Sequence, residues 1–598
     1  MVNYPVSQRL SSLREVMAKY SVDAVIVTNN DPHSSEYSAD YWLARSWISG
    51  FTGSAGNVVV TPEGGGLWTD GRYYIQAEEQ LSGSSLSLFK SKLPETPTIP
   101  QWLASTLLEN STVAVDGRSI SYQFYCELTK AFEKKSIKLI LDKDLITPVW
   151  EGRTPRPTAP VFNYDMTFSG ISTGEKLKRI RDWMTEEEVD SVLIATLDDV
   201  MWTANIRGAD STYCPISEAY ILISESSAEL FIEPEKLPSE VTNTLKDQGV
   251  IVGAYNSVVD SINQLSDNSR LAFLASGTDS LLISGIKSSI QLKEKKCPAK
   301  EMKAVKNPVE LQNIEKALCM DGVAMVNFMH WLDVSVPEGG VTELSSEEKL
   351  TGFRAQQDNY LRNSFRTIAG YAEHGAKMHY GADELSNYCI GNDSFFLVDS
   401  GGQYLNGTTD ITRTFHFGTP TEQQRKDYTL VLKAVIRLTQ AKFLKGSTGA
   451  NLDILARGIL WQHGIDYKCG TGHGVGACLI VHEGPNYFSQ NPKEVPLKPG
   501  MVITNEPGVY REGVHGVRIE NILKVVELEE NEFGAFYGFD TMTLAPIGTH
   551  ILDLGLLHSE EIEWLNAYHE KVYTTLAPYL GYEQKKWLEE ATKAVMGD

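Results

Sequence analysis

The chain has 598 residues, with 54 basic against 77 acidic side chains and a formal net charge of -23. That length exceeds one hydrophobic core, at roughly 100 to 200 residues per domain, and so acidic a field repels phosphate backbones and anionic lipid, which argues against nucleic acid or membrane partners. The N-terminal segment lacks a basic start followed by an apolar stretch, no run reaches about 18 apolar residues, and the 7 cysteines are scattered and never form a CxxC pair, so a cytoplasmic protein with reduced thiols is expected.

Leu10, Leu13, Val16, Met17 and Tyr20 keep helical spacing and run directly into the apolar strand signal DAVIVT. The arrangement returns at Leu177, Ile180, Trp183 and Met184 followed by DSVLIA, an offset of 177 - 10 = 167. At that offset Arg14, Met17, Val22, Asp23 and Val25 meet identical residues at Arg181, Met184, Val189, Asp190 and Val192, so the spacing predicts two tandem copies of one α/β domain. Between them the Pro- and Gly-rich WEGRTPRPTAPVFNYDMTFSG suits a linker. A second junction falls at the lysine-rich QLKEKKCPAKEMKAVK, before a helix start in which Asn307 caps, Pro308 takes the first turn and Glu310 completes a capping box. Beyond it, helices such as the one signalled by Thr419, Pro420 and Glu422, with Gly446 as its stop, mix with hairpin signals in FFLVDSGGQYLNGTTDITRTFHFG and GMVITNEPGVYREGVHGVRIENILKV. After residue 540, Ile562, Leu565, Tyr568, Val572 and Leu576 form a helical apolar stripe that could pack on its own domain or on a second subunit. The chain thus divides into residues 1–160, 161–305, 306–540 and 541–598.

In the first hairpin Asp399 ends an apolar strand and Asp410 opens the returning one; taken alone, an Asp before Ser-Gly-Gly reads as a turn former. The second hairpin repeats the arrangement with Glu506 at a strand end and Glu520 on the return. Between them GTGHGVG surrounds His473 with glycines that let the backbone approach a buried group closely, and no Gly-Lys-Ser/Thr follows to make a phosphate loop. Four carboxylates and one imidazole are a hard, oxygen-rich set suited to two divalent ions, whose four positive charges balance the four acids.

The ordered set DSGGQYLNGTTDITRTFHFG, GTGHGVG, VHEGP, NEPGVY and GVRIEN resembles the catalytic domain of the creatinase/aminopeptidase P family, peptidase M24 with its pita-bread fold. WISGFTGSAG, WTDGRYYIQA, LAPIGTHILD and WLNAYH extend the likeness over most of the chain to the three-domain, cytosolic type of that family. The resemblance implies an α/β (α+β) chain of two creatinase-like N-terminal domains, a pita-bread metallopeptidase domain and a C-terminal extension. It also implies metal-dependent release of the N-terminal residue from peptides with proline second, by a metal-bridging hydroxide, in a homodimer. By the same likeness Asp399, Asp410, His473, Glu506 and Glu520 fall on the metal ligands of two divalent ions, with manganese favoured and zinc or cobalt as alternatives, and Glu506 relays a proton. His379 in MHYG and His482 in VHEGP match non-ligand histidines that hold the scissile carbonyl and shuttle protons. Arg518, two residues before Glu520 and so on the same strand face, resembles an arginine that pairs with a ligand Asp, a surface ion pair being the other reading. Arg72 resembles a substrate-contacting arginine of the first domain, or is a structural ion pair. Cys469 departs from the family by standing where other members place a histidine; it is expected to fill space as a small apolar residue. The rival readings are a prolidase, which cleaves Xaa-Pro dipeptides, and a metal-free creatinase-like or pseudo-peptidase binding protein.

Overall fold

The structure is a computed structural model that describes residues 4–491 and 495–596. It forms two compact units, Met1–Lys300 and Glu301–Asp598. Among the described residues no helix is long and apolar enough to cross a membrane.

The first unit is built twice from one plan. Its first sheet has six strands in the order Ser87–Lys90, Gly65–Thr69, Asn57–Val60, Ala24–Val27, Thr112–Ala114 and Lys138–Ile140. The second runs Ile251–Ala254, Ala228–Ile232, Ala219–Ser224, Ser191–Ile194, Arg270–Phe273 and Gln291–Glu294. Across each sheet the pairings run parallel, antiparallel, antiparallel, parallel, parallel. The opening helices, Val6–Lys19 and Thr173–Glu186, and the strands after them are displaced by 173 - 6 = 167 and 191 - 24 = 167, so the sequence repeat is a structural repeat without a gap.

Three of the repeated identities have a local reason. Asp23 accepts the amide of Thr112 at 2.7 Å and Asp190 that of Arg270 at 2.8 Å, each joining the first strand to its parallel neighbour. Arg14 donates to the carbonyl of Thr61 and Arg181 to that of Ser224, both at a hairpin end. Alternation does the rest: Val25 and Val27 enter one core while Ala24 and Ile26 enter the core on the opposite face, as a sheet covered on both sides requires.

In the second unit Asn307 caps the helix Pro308–Glu338 in a capping box with Glu310, as its sequence predicts. The helix signalled at Thr419 begins two residues later, capped by Thr421 with Gln424, and runs Glu422–Thr439. Gly446 is not its stop but a positive-φ turn residue further on. The C-terminal stripe lies on the helix Ser559–Leu576 and is buried within this chain, in one core with Leu430, Val431, Val435 and Ile436 of the earlier helix.

The two acid-bearing motifs are more elaborate than simple hairpins. Phe396–Ser400 pairs with Ile411–Phe415, and inside that loop Gly402–Tyr404 pairs with Gly407–Thr408. Val502–Asn505 pairs with Asn521–Asn531, and inside it Gly508–Arg511 pairs with His515–Arg518. Each motif is therefore a ribbon within a ribbon, the inner pair belonging to a different sheet from the outer. The inner strands are only two to four residues long, too short to show the period of two that marks a strand in sequence.

Candidate metal centre

The acids sit at the seams between outer and inner ribbons. Asp399 is the next-to-last residue of its outer strand and Asp410 immediately precedes the return strand. Glu506 immediately follows Val502–Asn505, and Glu520 lies between the inner strand His515–Arg518 and the outer strand Asn521–Asn531. At a seam the chain leaves one sheet for another, so a side chain there can turn inward without losing a ladder position.

His473 enters from Gly472–Gly474, a strand beside Val502–Asn505. A Cβ at Gly472 would lie 1.9 Å from the Thr504 carbonyl oxygen and one at Gly474 2.3 Å from that of Glu483, so the glycines beside the histidine are required by close backbone contact.

The side chains converge. His473 Nε2 lies 3.4 Å from Asp410 Oδ2 and 3.3 Å from Glu506 Oε1. Its Nδ1 is 3.0 Å from its neighbour's carbonyl, that of Gly474; donation there leaves Nε2 to face the acids. Donor atoms of Asp410, His473 and Glu520 lie within 4.8 Å of one another. Asp399 joins the group through Arg518, whose Nη2 is 2.6 Å from Asp399 Oδ2. The Glu520 amide donates to the Thr412 carbonyl at 3.1 Å, and Thr412 Oγ1 donates to Glu520 Oε2 at 2.8 Å.

The electrostatics are those of a place that expects cations. Burial, then the nearby charges of Asp410, Glu506 and Asp399, pushes the Glu520 carboxyl well above the usual carboxylate range. Burial and the neighbouring acids raise Asp410 to about 6, against the pull of His473. Burial alone would lower His473, but its hydrogen bond to Asp410 and the charges of Glu506 and Asp410 outweigh that and raise it to about 9. The excess of negative charge therefore shows as carboxyls that keep protons close to neutral pH. Two acceptors, Asp399 Oδ1 and Glu520 Oε1, are buried with no hydrogen-bond partner, a cost of about 1 to 3 kcal/mol each or more for a charged group. Divalent ions would satisfy both oxygens and discharge the crowding, so these residues fit such ions.

The remaining site residues of the sequence reading are placed as follows. His482 meets the His473 ring edge to face, with centroids 4.4 Å apart. His379 follows Met378, whose carbonyl accepts from Arg518 Nη2 at 3.2 Å, in a turn beside the cluster. Glu506, His482 and His379 are partly exposed whereas Asp399, Asp410, His473 and Glu520 are buried, so the proton-handling candidates line the open side. Arg72 lies in the first unit, where its guanidinium makes a two-pronged ion pair with Asp70 at 2.9 and 2.8 Å. Cys469 packs against the apolar core, and its carbonyl accepts from the buried Arg457 at 3.1 Å.

Sequence reasoning passed over the supports. Thr412 bonds both Glu520 and, as acceptor, Arg518 Nε at 3.1 Å, and the Tyr510 hydroxyl accepts from Arg518 Nη1 at 2.6 Å. Glu343 accepts from the amides of Tyr371 and Tyr388, the His374 ring and the Tyr380 hydroxyl, holding the loop that carries His379. Only Thr412 left a signal, its i+2 spacing from Asp410.

Four family models match the chain. The model of the creatinase/prolidase N-terminal domain matches residues 9–143, and a second model of that domain matches 152–310. That of metallopeptidase family M24 matches 312–527, and that of the C-terminal region of peptidase M24 matches 535–595. The chain belongs to metallopeptidase family M24. Its full-length relatives are aminopeptidases P: Aminopeptidase P1 of Arabidopsis thaliana is 36% identical, the match covering 99% of both chains, and a probable Xaa-Pro aminopeptidase P of Tuber melanosporum is 36% identical over 100% of both. The crystal structure of X-prolyl aminopeptidase from Caenorhabditis elegans, described as a cytosolic enzyme with a di-nuclear active site, superposes with a TM-score of 0.94 at 33% identity, covering 99% of this chain and 100% of that one. The Xaa-Pro dipeptidase of Bacillus anthracis, at 24% identity and a TM-score of 0.52, shares the fold over 63% of this chain while 99% of its own length is covered.

Proposed function

We propose that this chain is a two-metal Xaa-Pro aminopeptidase, releasing the first residue of peptides whose second residue is proline. The observation that carries the reading is the buried convergence of Asp410, His473 and Glu520 donor atoms within 4.8 Å, with Glu506 and Asp399 alongside, in a chain that matches aminopeptidases P from end to end. Asp399, Asp410, His473, Glu506 and Glu520 would hold two divalent ions, manganese being favoured by so oxygen-rich a set. When bound, such ions polarise a carbonyl and make water acidic enough to ionise near neutral pH.

The protein's own groups do the rest. Glu506, partly exposed and 3.3 Å from His473, takes the proton of the attacking water and passes it to the leaving nitrogen. His482 and His379 donate hydrogen bonds to the scissile carbonyl oxygen as charge gathers on it. Arg518, buried and bonded to Asp399 at 2.6 Å, holds that carboxylate in place. The bond before proline is a tertiary amide with no N-H, so recognition of the second residue rests on ring shape and apolar contact. Arg72 is assigned to substrate contact on the family likeness alone, since its guanidinium is held by Asp70 in two bonds.

The substrates are peptides beginning Xaa-Pro, the location is cytoplasmic, and the working form is a homodimer, which sedimentation should report. The deciding assay compares an Xaa-Pro-Xaa tripeptide with an Xaa-Pro dipeptide, with manganese supplied. Cleavage of the tripeptide is expected; preference for the dipeptide would make the chain a prolidase. A purified protein that is free of metal and inert after manganese addition would make it a non-catalytic relative.

A further inference from the structure

The C-terminal helix Ser559–Leu576 does more than cover a core, because one of its residues reaches the back of the metal centre. The link is Arg413. On the strand Ile411–Phe415, Thr412 and Thr414 face the ligand side, Thr412 bonding Glu520 and Thr414 bonding the Arg518 carbonyl at 2.8 Å. Alternation sends Arg413 the opposite way, into the interior, where it is fully buried. Its Nη1 donates to the carbonyls of Thr412 at 2.9 Å and Glu520 at 2.7 Å. Its Nη2 donates to Asn521 Oδ1, the Ala545 carbonyl and the Tyr568 hydroxyl, each at 2.9 Å, and its Nε donates to the Pro546 carbonyl at 3.0 Å. The Tyr568 hydroxyl in turn donates to the Ala545 carbonyl at 2.8 Å.

Every donor of this guanidinium is thus used, and its acceptors come from two groups only: the main chain at Thr412 and Glu520 with the neighbouring Asn521, and the C-terminal segment at Ala545, Pro546 and Tyr568. A buried guanidinium has a rigid fork and no inexpensive alternative geometry, so moving Tyr568 disturbs the carbonyl of Glu520. We propose that the C-terminal extension is a brace for the metal centre, with Tyr568 and Arg413 as positioning residues that fix the main chain from which Glu520 and Thr412 project. The role is exerted on the geometry of a ligand and requires no contact with the peptide. It rests on the assignment of Glu520 as a ligand.

The test uses the full-length protein stripped of metal with a chelator and titrated with manganese by calorimetry. Tyr568→Phe keeps the ring, which stacks on Trp564 at 5.4 Å, and removes only the hydroxyl. Outer partners of metal ligands are worth roughly 10- to 100-fold in affinity, so one of the two binding events should weaken by about that factor, and activity should return at saturating manganese. Arg413→Lys, which keeps the charge but not the fork, should show the same weakened event if Tyr568→Phe proves too unstable to purify. The control is Trp587→Phe, which removes a 2.8 Å bond from the same extension to Asp333 on the helix Pro308–Glu338, an element that carries none of the proposed ligands; it should alter thermal stability without altering manganese affinity. Parent-like binding by Tyr568→Phe, or equal weakening in the control, overturns the brace. Glu520→Gln separates the two levels: if it retains both ions the ligand assignment itself fails, whereas if it loses one while Tyr568→Phe loses none, only the brace fails.

Discussion

At the scale of single residues, Asp410 is the position at which charge and coordination are least separable. It is buried, raised to about 6, and 3.4 Å from His473. Asp410→Asn keeps the shape and removes the charge, so metal content and turnover should fall together while circular dichroism stays that of the parent; near-normal turnover would discredit the site. His482 is different in kind: it touches the His473 ring and is partly exposed. His482→Ala should lower kcat by about 10²- to 10⁴-fold, the span of general acid-base contributions, with metal content unchanged, and loss of metal would count against its role. Why some of these residues could be read in the sequence and others could not has a physical basis. Glu506 stands beside proline, His473 beside glycine and Asp399 two residues before a glycine pair, and such neighbours mark a turn or a close backbone approach in the sequence itself. Thr412 and Tyr510 carry hydroxyls on ordinary strand positions, where threonine and tyrosine are common for packing reasons alone; only the fold shows what they bond. Cys469 packs against the apolar core as a small residue should, while its carbonyl is fixed by Arg457.

At the scale of elements, helices with strong caps were legible and nested ribbons were not. The capping box at Asn307 and Glu310 is a local, four-residue agreement between sequence and backbone, whereas the inner ribbons depend on partners in other strands. The lysine-rich junction before that helix looks solvated in sequence, yet Lys303 and Lys306 are buried: Lys306 Nζ bonds Glu483, next to His482, and Lys303 Nζ lies 3.7 Å from the same carboxylate. The C-terminal helix carries its own titration. Burial, with the charge of Arg413, lowers His569 from 6.5 to about 4, and its Nε2 accepts the Ile547 amide at 3.1 Å. Between pH 6.5 and about 4 the unfolded chain takes up a proton that the folded chain refuses, so this group makes stability fall as pH falls through that window, by about 3 kcal/mol at its lower end. His569→Gln, whose amide oxygen can accept the same bond, should flatten the acid limb of a urea-stability series. An unchanged slope would show that the ring is not the group responsible.

At the scale of the whole molecule, the offset of 167, gapless over the opening helix and first strand, is the clearest message in the chain, and the contacts of the hairpin and of the parallel neighbour recur in both copies at shorter spacings. The proposed ligands, by contrast, all lie in Glu301–Asp598. Binding that favours the folded state stabilises by about 2.7 kcal/mol at a free ligand concentration 100-fold above Kd. Chelation should therefore reduce hydrogen-exchange protection in Glu301–Asp598 and leave Met1–Lys300 unchanged. Loss of protection in the first unit alone would place the ions elsewhere.

The ribbon within a ribbon also decides where this enzyme can change in length. The outer pairs set the register of the acids, and each inner pair closes a loop, carrying in the second ribbon the supports Tyr510 and Arg518, so the tip beyond the inner pair is open to insertion wherever it is not itself packed. The two tips differ: Glu512, Gly513 and Val514 are exposed, whereas Asn406 is buried and its side-chain amide nitrogen donates to Asn313 Oδ1 at 2.8 Å. A short glycine-serine insertion after Gly513 should leave manganese binding intact, and the same insertion between Leu405 and Asn406 should abolish it. The first tip is thus where evolution or an engineer can graft new peptide onto the rim without touching the chemistry, and the second is closed to both.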